Sequence, residues 1–410
     1  MGGQCIRETR AFFVSFFLKK KILAVIYSPL NNYYKQKSYK PWIILKIMEE
    51  SEKPLVYPPV VIAHIVNDLG DYFDPKIKGK SAVDIHYSAQ LNGHPHMGTL
   101  TSLASAFAVG EYIQNRFNVP STLKFEALEN APIEKNQMGD KEYCRMHSHH
   151  YVDGVPLSEI YMKSFREVFD YIKENTGVNY ETEHYEQFQK NPFVRKTLLE
   201  IISRENEFVP YIAPGEGLLR IRFPCKECHV MEKTAKDSRI VENHAPDYII
   251  YQSECPEHGQ FEIKVSQDDN NLIDFNTSIR NVIKEARFIE EARKNNAMNL
   301  MVDGGDWTGM AFQVMQSLGL LGYNIRDLPV RIFTPIIEDW SGAKFSKSVY
   351  VKEGTYKHIP LEFLDYRKFQ ETFGANGLET VLNESRKWVE DPKKLFRNYS
   401  IDYLRKVFNI

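Results

Sequence analysis

Long apolar runs are missing from this 410-residue chain. No stretch reaches the roughly 18 consecutive apolar residues that a membrane-spanning helix needs. Cysteine is scarce, with five residues in all. That excludes a disulfide scaffold, and thiols lying close together read better as metal ligands in a reducing compartment. Glycine (22) and proline (20) stay near average usage, so neither a fibrous repeat nor broad disorder fits. Internal repeats and low-complexity tracts are lacking, and so is a large excess of one charge: 52 Lys and Arg oppose 54 Asp and Glu. A nonspecific nucleic-acid binder is thereby disfavoured, while room remains for a local basic face. What is present, 43% hydrophobic and 26% charged residues, suffices for two or three units with full cores.

The near-neutral total hides an uneven distribution. Residues 1–47 hold nine basic residues and one acid, Glu8, so the remainder is net acidic. Within this segment the apolar run Ala11–Leu18 is cut by Lys19–Lys21 and is too short to span a bilayer. A basic, acid-poor extension suits organellar targeting, although such segments favour Arg and Ser over the Lys and Tyr found here. The alternative is a poorly ordered extension upstream of a working start near Met48. Ile6 occupies the position where a myristoylation signal needs Ser or Thr. The expected location is cytoplasmic, or organellar if residues 1–47 target the chain, with no membrane partner.

From Pro54 the pattern becomes globular. Helical apolar spacing covers Val60–Tyr72. A strand at Ala82–Ile85, a glycine-bearing loop, a helix from about His96 to Arg116 and a strand at Thr122–Leu128 open a parallel α/β sheet. Helices are expected at Leu157–Lys173, Asn191–Asn206 and Thr277–Lys294, and strands at Asn299–Asp303 and Val330–Thr334. Three short helices, Leu361–Thr372, Leu378–Val389 and Ser400–Val407, close the chain. The pattern predicts an α/β fold in which a parallel sheet begun within 48–206 is interrupted by a small β-rich insertion, 207–265, resumes within 266–350 and is followed by a helical C-terminal region, 351–410, with the basic extension 1–47 ahead of it.

Four constellations carry chemistry. Asn92-Gly93-His94-Pro95-His96-Met97-Gly98-Thr99 lies between a strand and a helix, where unpaired N–H groups and a positive dipole end suit phosphate. Gly342-Ala343-Lys344-Phe345-Ser346-Lys347-Ser348 puts two lysines on a loop, able to meet charge growing on a pyrophosphate leaving group. Asp303-Gly304-Gly305-Asp306-Trp307 follows a strand, where a carboxylate can accept from ribose hydroxyls. Cys225-x2-Cys228 and Cys255-Pro256-Glu257-His258 are paired knuckles that suit a structural, tetrahedral Cys3His zinc site. His229 and His244 are weaker choices for the fourth ligand.

In this order, the first two stretches resemble the signature pair of class I aminoacyl-tRNA synthetases. His96–Thr99 is similar to their HIGH motif and Lys344–Ser348 to KMSKS, with Phe345 in place of methionine. The zinc knuckles between the halves resemble those of class I lysyl-tRNA synthetase, over about residues 55–360. The resemblance implies a Rossmann-type parallel sheet with a zinc-bearing insertion between the two halves of a catalytic domain, 48–206 and 266–350, and a helical C-terminal region; it implies also ATP with Mg²⁺, Zn²⁺, an amino acid (lysine favoured) and the acceptor end of tRNA. In it Asn92, Gly93, His96, Gly98, Gly304, Asp306, Lys344, Ser346 and Lys347 bind ATP, and His96, Thr99, Lys344 and Lys347 carry the catalytic work. Glu126 and Glu129 are the candidates for the substrate ammonium.

Thr99 departs from the second histidine of HIGH but keeps a hydroxyl. Residues 351–410 are too few for a full helical anticodon-binding domain. Loading of a non-tRNA acceptor, or a noncatalytic homologue, are the alternatives. His147, His149 and His150 with Cys144 lack a trusted metal-ligand spacing, and Trp307, Trp340 and Trp388 read as packing residues.

Overall fold

Residues 66, 68–345 and 359–410 are described in the computed structural model, all within the unit Tyr57–Ile410. The basic segment 1–47 and the residues Ser346, Lys347 and Ser348 lie outside them. Of the helix expected over Val60–Tyr72, the described residues show Leu69–Tyr72 as the opening of α1 (Leu69–Ile77), which begins there because Asp68 accepts from the Gly70 and Asp71 backbone N–H groups at 2.5 and 3.3 Å. Residues 60–65 and 67 of that expectation are outside the described part.

Five strands build the central sheet: β1 (Ala82–Gln90), β2 (Ser121–Leu128), β5 (Asn179–His184), β10 (Ala297–Gly304) and β11 (Val330–Thr334). All neighbours are parallel, in the order β11-β10-β1-β2-β5. Val83 of β1 stands between Met298 and Ser121, which sets the register. Counted among the sheet strands alone, the order is that of a doubly wound Rossmann-type sheet, whose strand order reverses between β1 and β10. β5 went unread in the sequence. Its Asn-Tyr-Glu-Thr-Glu-His sits half exposed at the sheet edge and needs no apolar run.

The helix expected from His96 is α2 (Met97–Phe117), buried from Met97 through Gly110 on almost every face. One side lies on the sheet. A Cβ at Gly110 would meet Ile85 Cδ1 at 2.8 Å and Val178 Cγ1 at 3.1 Å, so only glycine lets helix and sheet approach this closely. The other side is covered by α8 (Tyr366–Val389), where Arg386 grips Glu111 through two contacts of 2.7 Å. The expected break between the C-terminal helices is a kink at Gly374 (φ 55°, ψ −146°). The last helix, α9 (Ile401–Phe408), sets Phe408 against Phe369 and Phe373. These helices belong to the core of the sheet.

The middle of the chain builds a second core. Residues 132–146 form a hairpin, β3 (Pro132–Met138) and β4 (Lys141–Met146), and β4 also pairs with the short β6 (Met231–Glu232). The expected β-rich insertion contains a meander of β7 (Arg239–His244), β8 (Tyr248–Cys255) and β9 (Gly259–Ser266). Residues Glu205–Ile212 are still helical. The expected helix at 191–206 is α5 (Pro192–Ser203), with Asn191 capping Phe193 N at 2.9 Å. The long helix α6 (Thr277–Asn295) starts at Asn276, whose side chain accepts from Ile279 N at 2.9 Å. It offers Ile279, Ile283 and Ala286 to this second core.

The approach at Gly110 gives a first test. Gly110→Val forces a branched side chain against Ile85 and Val178 and should lower the unfolding free energy by about 1–3 kcal/mol. Urea denaturation reads this as a lower midpoint.

Candidate active site and metal centre

At the switch point the chain leaves β1 and β10 toward different cores. After β1, the turn from Leu91 enters α2. After β10, the short turn Gly305–Trp307 enters α7 (Thr308–Leu320). Between the two strand ends opens a cleft of about 260 Å³ whose wall includes His96, Gly98, Thr99, Gly304, Asp306 and Lys344. Three stretches far apart in sequence thus meet outside the carboxyl ends of a doubly wound sheet, the usual ligand position of such folds.

Local sequence explains each placement. His96 stands at the start of α2, its carbonyl accepting from Thr99 N at 2.8 Å and Leu100 N at 2.9 Å. A Cβ at Gly98 would lie 3.0 Å from His96 Cε1, so the glycine gives the imidazole its room. The ring meets Phe345 edge-on at 5.6 Å. At Gly304 a Cβ would come within 2.6 Å of Asp306 Oδ1, so the Asp306 side chain folds back over a bare backbone.

Lys344 comes from a tight hairpin. Phe345 N donates to Ile337 O at 2.7 Å, and Asp339 Oδ1 accepts from Ser341 N (2.8 Å), Ser341 Oγ (2.7 Å) and Ala343 N (3.2 Å). Gly342 supplies the positive φ of +80°. Lys344 Nζ pairs with the Asp306 carboxylate across the cleft mouth.

Asn92 and Gly93 shape the turn and are not part of the cleft wall; Asn92 Nδ2 reaches Gln90 Oε1 at 3.4 Å. His94 is buried, with Nδ1 2.7 Å from Ser164 Oγ. The three tryptophans divide: Trp388 is buried against Tyr399, Trp307 lines the cleft, and Trp340 stands 76% exposed at the hairpin tip. The packing expectation holds for Trp388 and fails for Trp340. The turn that holds Lys344 projects its neighbour into solvent.

The floor of the cleft is a buried charged layer that the sequence did not reveal. Lys284 of α6 donates to Ser88 Oγ at 2.6 Å and lies 3.4 Å from Glu126 Oε2. Glu126 Oε1 is 3.3 Å from His86 Nδ1, and His86 Nε2 is 3.1 Å from Asn299 Oδ1. Burial by itself would raise the Glu126 carboxyl, but Lys284, His86 and Ser88 together hold it below its ordinary value. Its carboxylate is therefore engaged within the protein. Burial pushes the cleft-lining Tyr87 phenol up to about 12 and keeps it neutral. Arg280, one turn before Lys284, also lines the cleft. The signal for both was available: two cations, four apart, on the face of α6 that also carries Ile283.

Glu129 lies elsewhere. It accepts from His184 Nδ1 at 2.6 Å and Tyr185 N at 3.1 Å, in a separate depression with Glu159 and His149. Glu159, Glu129 and His184 bring their ligand atoms within 4.8 Å of one another. His149 stacks on His229 at 4.2 Å, and burial, with His229 beside it, lowers its pKa to about 4.

Cys225, Cys228, Cys255 and His258 converge, all four ligand atoms within 4.8 Å of one another. The sulfurs of Cys225 and Cys255 lie 3.6 and 3.5 Å from His258 Nδ1, and Cys228 Sγ lies 3.5 Å from Cys255 Sγ. Tetrahedral zinc, at about 2.3 Å from sulfur and about 2.0 Å from nitrogen, sets S···N edges near ~3.5 Å and S···S edges near ~3.8 Å. The donor set and its spacing fit zinc, with every coordination position filled by protein. His229 takes positive φ (59°) to close the first knuckle, its N–H donating to Cys225 O at 2.9 Å, and Gly259 (φ 75°) closes the second. His244 stacks on Tyr248 instead. Arg145 of β4 donates from Nε to Cys228 O at 2.9 Å, tying the knuckle to the β3–β4 hairpin.

No protein-family model and no curated protein matches the chain. Among solved structures it is similar to a glutamate tRNA ligase from Elizabethkingia meningosepticum in complex with its amino acid: 12% identity, 66% of this chain, 53% of that one, TM-score 0.33. It is similar also to a glutamate-tRNA synthetase from Elizabethkingia anophelis: 11% identity, 77% of this chain, 65% of that one, TM-score 0.37. A third similarity is to a protein described as an arginyl tRNA synthetase from Campylobacter jejuni: 9% identity, 84% and 71% coverage, TM-score 0.35. The chain spans between half and two thirds of the length of the first two. Likenesses this distant decide nothing about activity, which rests on the side chains of the cleft.

Two measurements follow. The purified protein should hold one zinc per chain, and Cys228→Ser should lose it together with the protease resistance of residues 221–266, since metal binding and local folding are coupled. Elemental analysis with limited proteolysis checks both. For His184, the hydrogen bond to Glu129 raises the pKa above 6.5 against the opposing effect of burial. Its contribution to stability is then complete below pH 6.5 and is lost as pH rises through the folded value. An NMR titration should find His184 above 6.5, and Glu129→Gln should bring it down.

Proposed function

We propose that this chain activates an amino acid with ATP, forming an aminoacyl-adenylate and pyrophosphate, and passes the acyl group to the 3′ end of a tRNA, as class I aminoacyl-tRNA synthetases do. The observation that carries the reading is the convergence of the His96–Thr99 turn, the Gly304–Asp306 turn and Lys344 on one cleft at the switch point. The start of the 21-residue helix α2, with His96 and Thr99, receives the triphosphate. Asp306 accepts from the ribose hydroxyls, and Lys344, with Lys347, follows the departing pyrophosphate. Lys344 pairs with Asp306 across the cleft mouth. Binding ATP exchanges that pair: the ammonium moves to phosphate and the carboxylate is released to the ribose. Mg²⁺ accompanies ATP and neutralises part of its charge.

The amino-acid carboxylate is the nucleophile, so the protein supplies no covalent one; its work is orientation and charge stabilisation. Zinc at Cys225, Cys228, Cys255 and His258 holds the insertion folded. Lysine is the amino acid that the zinc-knuckle resemblance favours. Glu126 and Glu129 already have protein partners, so an ammonium would have to displace His184 from Glu129 or share Glu126 with Lys284.

Amino-acid-dependent ATP–pyrophosphate exchange across all twenty amino acids tests the proposal. Lys344→Ala should cut the exchange rate about 100- to 1,000-fold, the cost of one donor aimed at developing charge (about 2.7–4 kcal/mol), while changing ATP affinity much less. Undiminished exchange by that variant would remove Lys344 from the chemistry.

A further inference from the structure

Two cations stand one turn apart on the buried side of α6, Arg280 and Lys284, 3% and 4% exposed. Both line the cleft, but their situations differ. Lys284 is engaged by Ser88 and Glu126 at 2.6 and 3.4 Å. Arg280 is not comparably held: its Nε is buried and, among the described residues, has no acceptor. The neighbouring acid, Asp274, influences Arg280 through its charge. That carboxylate is already committed, accepting from Asn130 Nδ2 at 2.6 Å and pairing with Arg222. Burial, the leading cause, pushes the Arg280 guanidinium below its ordinary value, the mark of a cation that its own surroundings do not fully satisfy.

A buried charge is costly unless it is paired and hydrogen-bonded. A guanidinium on the wall of an open cleft, with a buried N–H lacking an acceptor, calls for an acceptor that arrives with the ligand. Its side of the cleft narrows the choice. Arg280 is associated with the ends of β1 and β2, through Lys284 on Ser88 and through Asp274 on Asn130. The phosphate-type donors, His96, Thr99 and Lys344, gather with Asp306 around the start of α2 and the end of β10. The planar fork of a guanidinium matches a carboxylate through two parallel hydrogen bonds.

We infer that Arg280 is the carboxylate seat of the second substrate in this cleft, holding either the reacting α-carboxylate of an amino acid or the side-chain carboxylate of an acidic one. The inference rests on the amino-acid-activation reading. In the first case one carboxylate oxygen stays in the fork while the other attacks the α-phosphorus. The new P–O bond forms as the bond to the bridging oxygen breaks, and pyrophosphate leaves with that electron pair. In the second case the fork selects the substrate and the α-carboxylate reacts beyond it. Lys284, neutralised by Glu126, keeps the floor polar without competing for the ligand.

The test compares the wild-type protein with Arg280→Met, which keeps length and loses charge, and Arg280→Lys, which keeps charge and loses the fork. Exchange kinetics are measured with glutamate, glutamine and lysine, and the same three are titrated calorimetrically in the presence of a non-hydrolysable ATP analogue. Arg280→Met should raise the amino-acid KM about tenfold or more and leave the ATP KM within about twofold. Arg280→Lys should recover part of the loss. An equal loss for all three amino acids identifies the α-carboxylate; a loss confined to glutamate identifies the side chain. Unchanged amino-acid KM and affinity in a folded Arg280→Met overturn the seat while leaving activation intact. If Arg280→Met does not fold, undiminished affinity of Arg280→Lys for every carboxylate overturns it equally. A wild type that lacks exchange but binds a carboxylate in an Arg280-dependent way keeps the seat and discards activation. Neither exchange nor binding discards both.

Discussion

The parallel pairing of β1 with β10, Val83 beside Met298 and His86 beside Met301, is the contact on which the rest of the molecule depends. The two strands run together along their length and their continuations then part. α2 enters the core shared with α8 and α9, and α7 enters the core shared with α5 and α6. Because each helix must bury its own apolar side, the two turns cannot close over the strand ends, and a crevice remains between them. His96, Gly98 and Thr99 at the start of α2 line one side of it and the Gly304–Asp306 turn lines the other. The chemistry of the cleft is thus a consequence of how the sheet is wound.

Electrostatics refine what topology provides. Glu126, Lys284, His86 and Asn299 are buried and mutually hydrogen-bonded under the cleft, so this floor is polar without carrying a large net charge. Such a network is rigid, since any single departure leaves a buried group unpaired. Above it the groups are looser: Lys344 and Asp306 are both partly exposed and pair with each other across the mouth. A firm floor with exchangeable partners above suits a site that must admit a charged ligand and then follow the movement of its charge.

The metal centre works on another scale. Four candidate ligands bring two knuckles together at the edge of a meander whose Ile249, Tyr251, Ile263 and Val265 enter the second core, and Arg145 ties the first knuckle to the β3–β4 hairpin. The expected insertion 207–265 therefore has a partner in residues 132–146, far upstream. That pairing is made by two residue pairs of β4 with β6, Tyr143 with Glu232 and Cys144 with Met231, too brief to leave a periodic trace.

Where local chemistry suffices, the sequence was decisive by itself. Glycines at 98 and 304, an acid at 306 and a Cys/His spacing each act through neighbours a few residues away, so the turn after β1, the turn after β10 and the Cys/His knuckles could be read directly. Helices with a clear apolar stripe, α2 and α6, were legible for the same reason, and so was the break that became the kink at Gly374. Only the tertiary structure decided the pairing of Glu126 with Lys284, the separation of Glu129 from the cleft, the edge strand β5 and the exposure of Trp340. Each of these depends on which distant residue occupies the adjacent space. Lys284 reaches Glu126 across 158 positions of chain, a distance over which neither composition nor periodicity carries information, because the contact is made by the winding of the sheet.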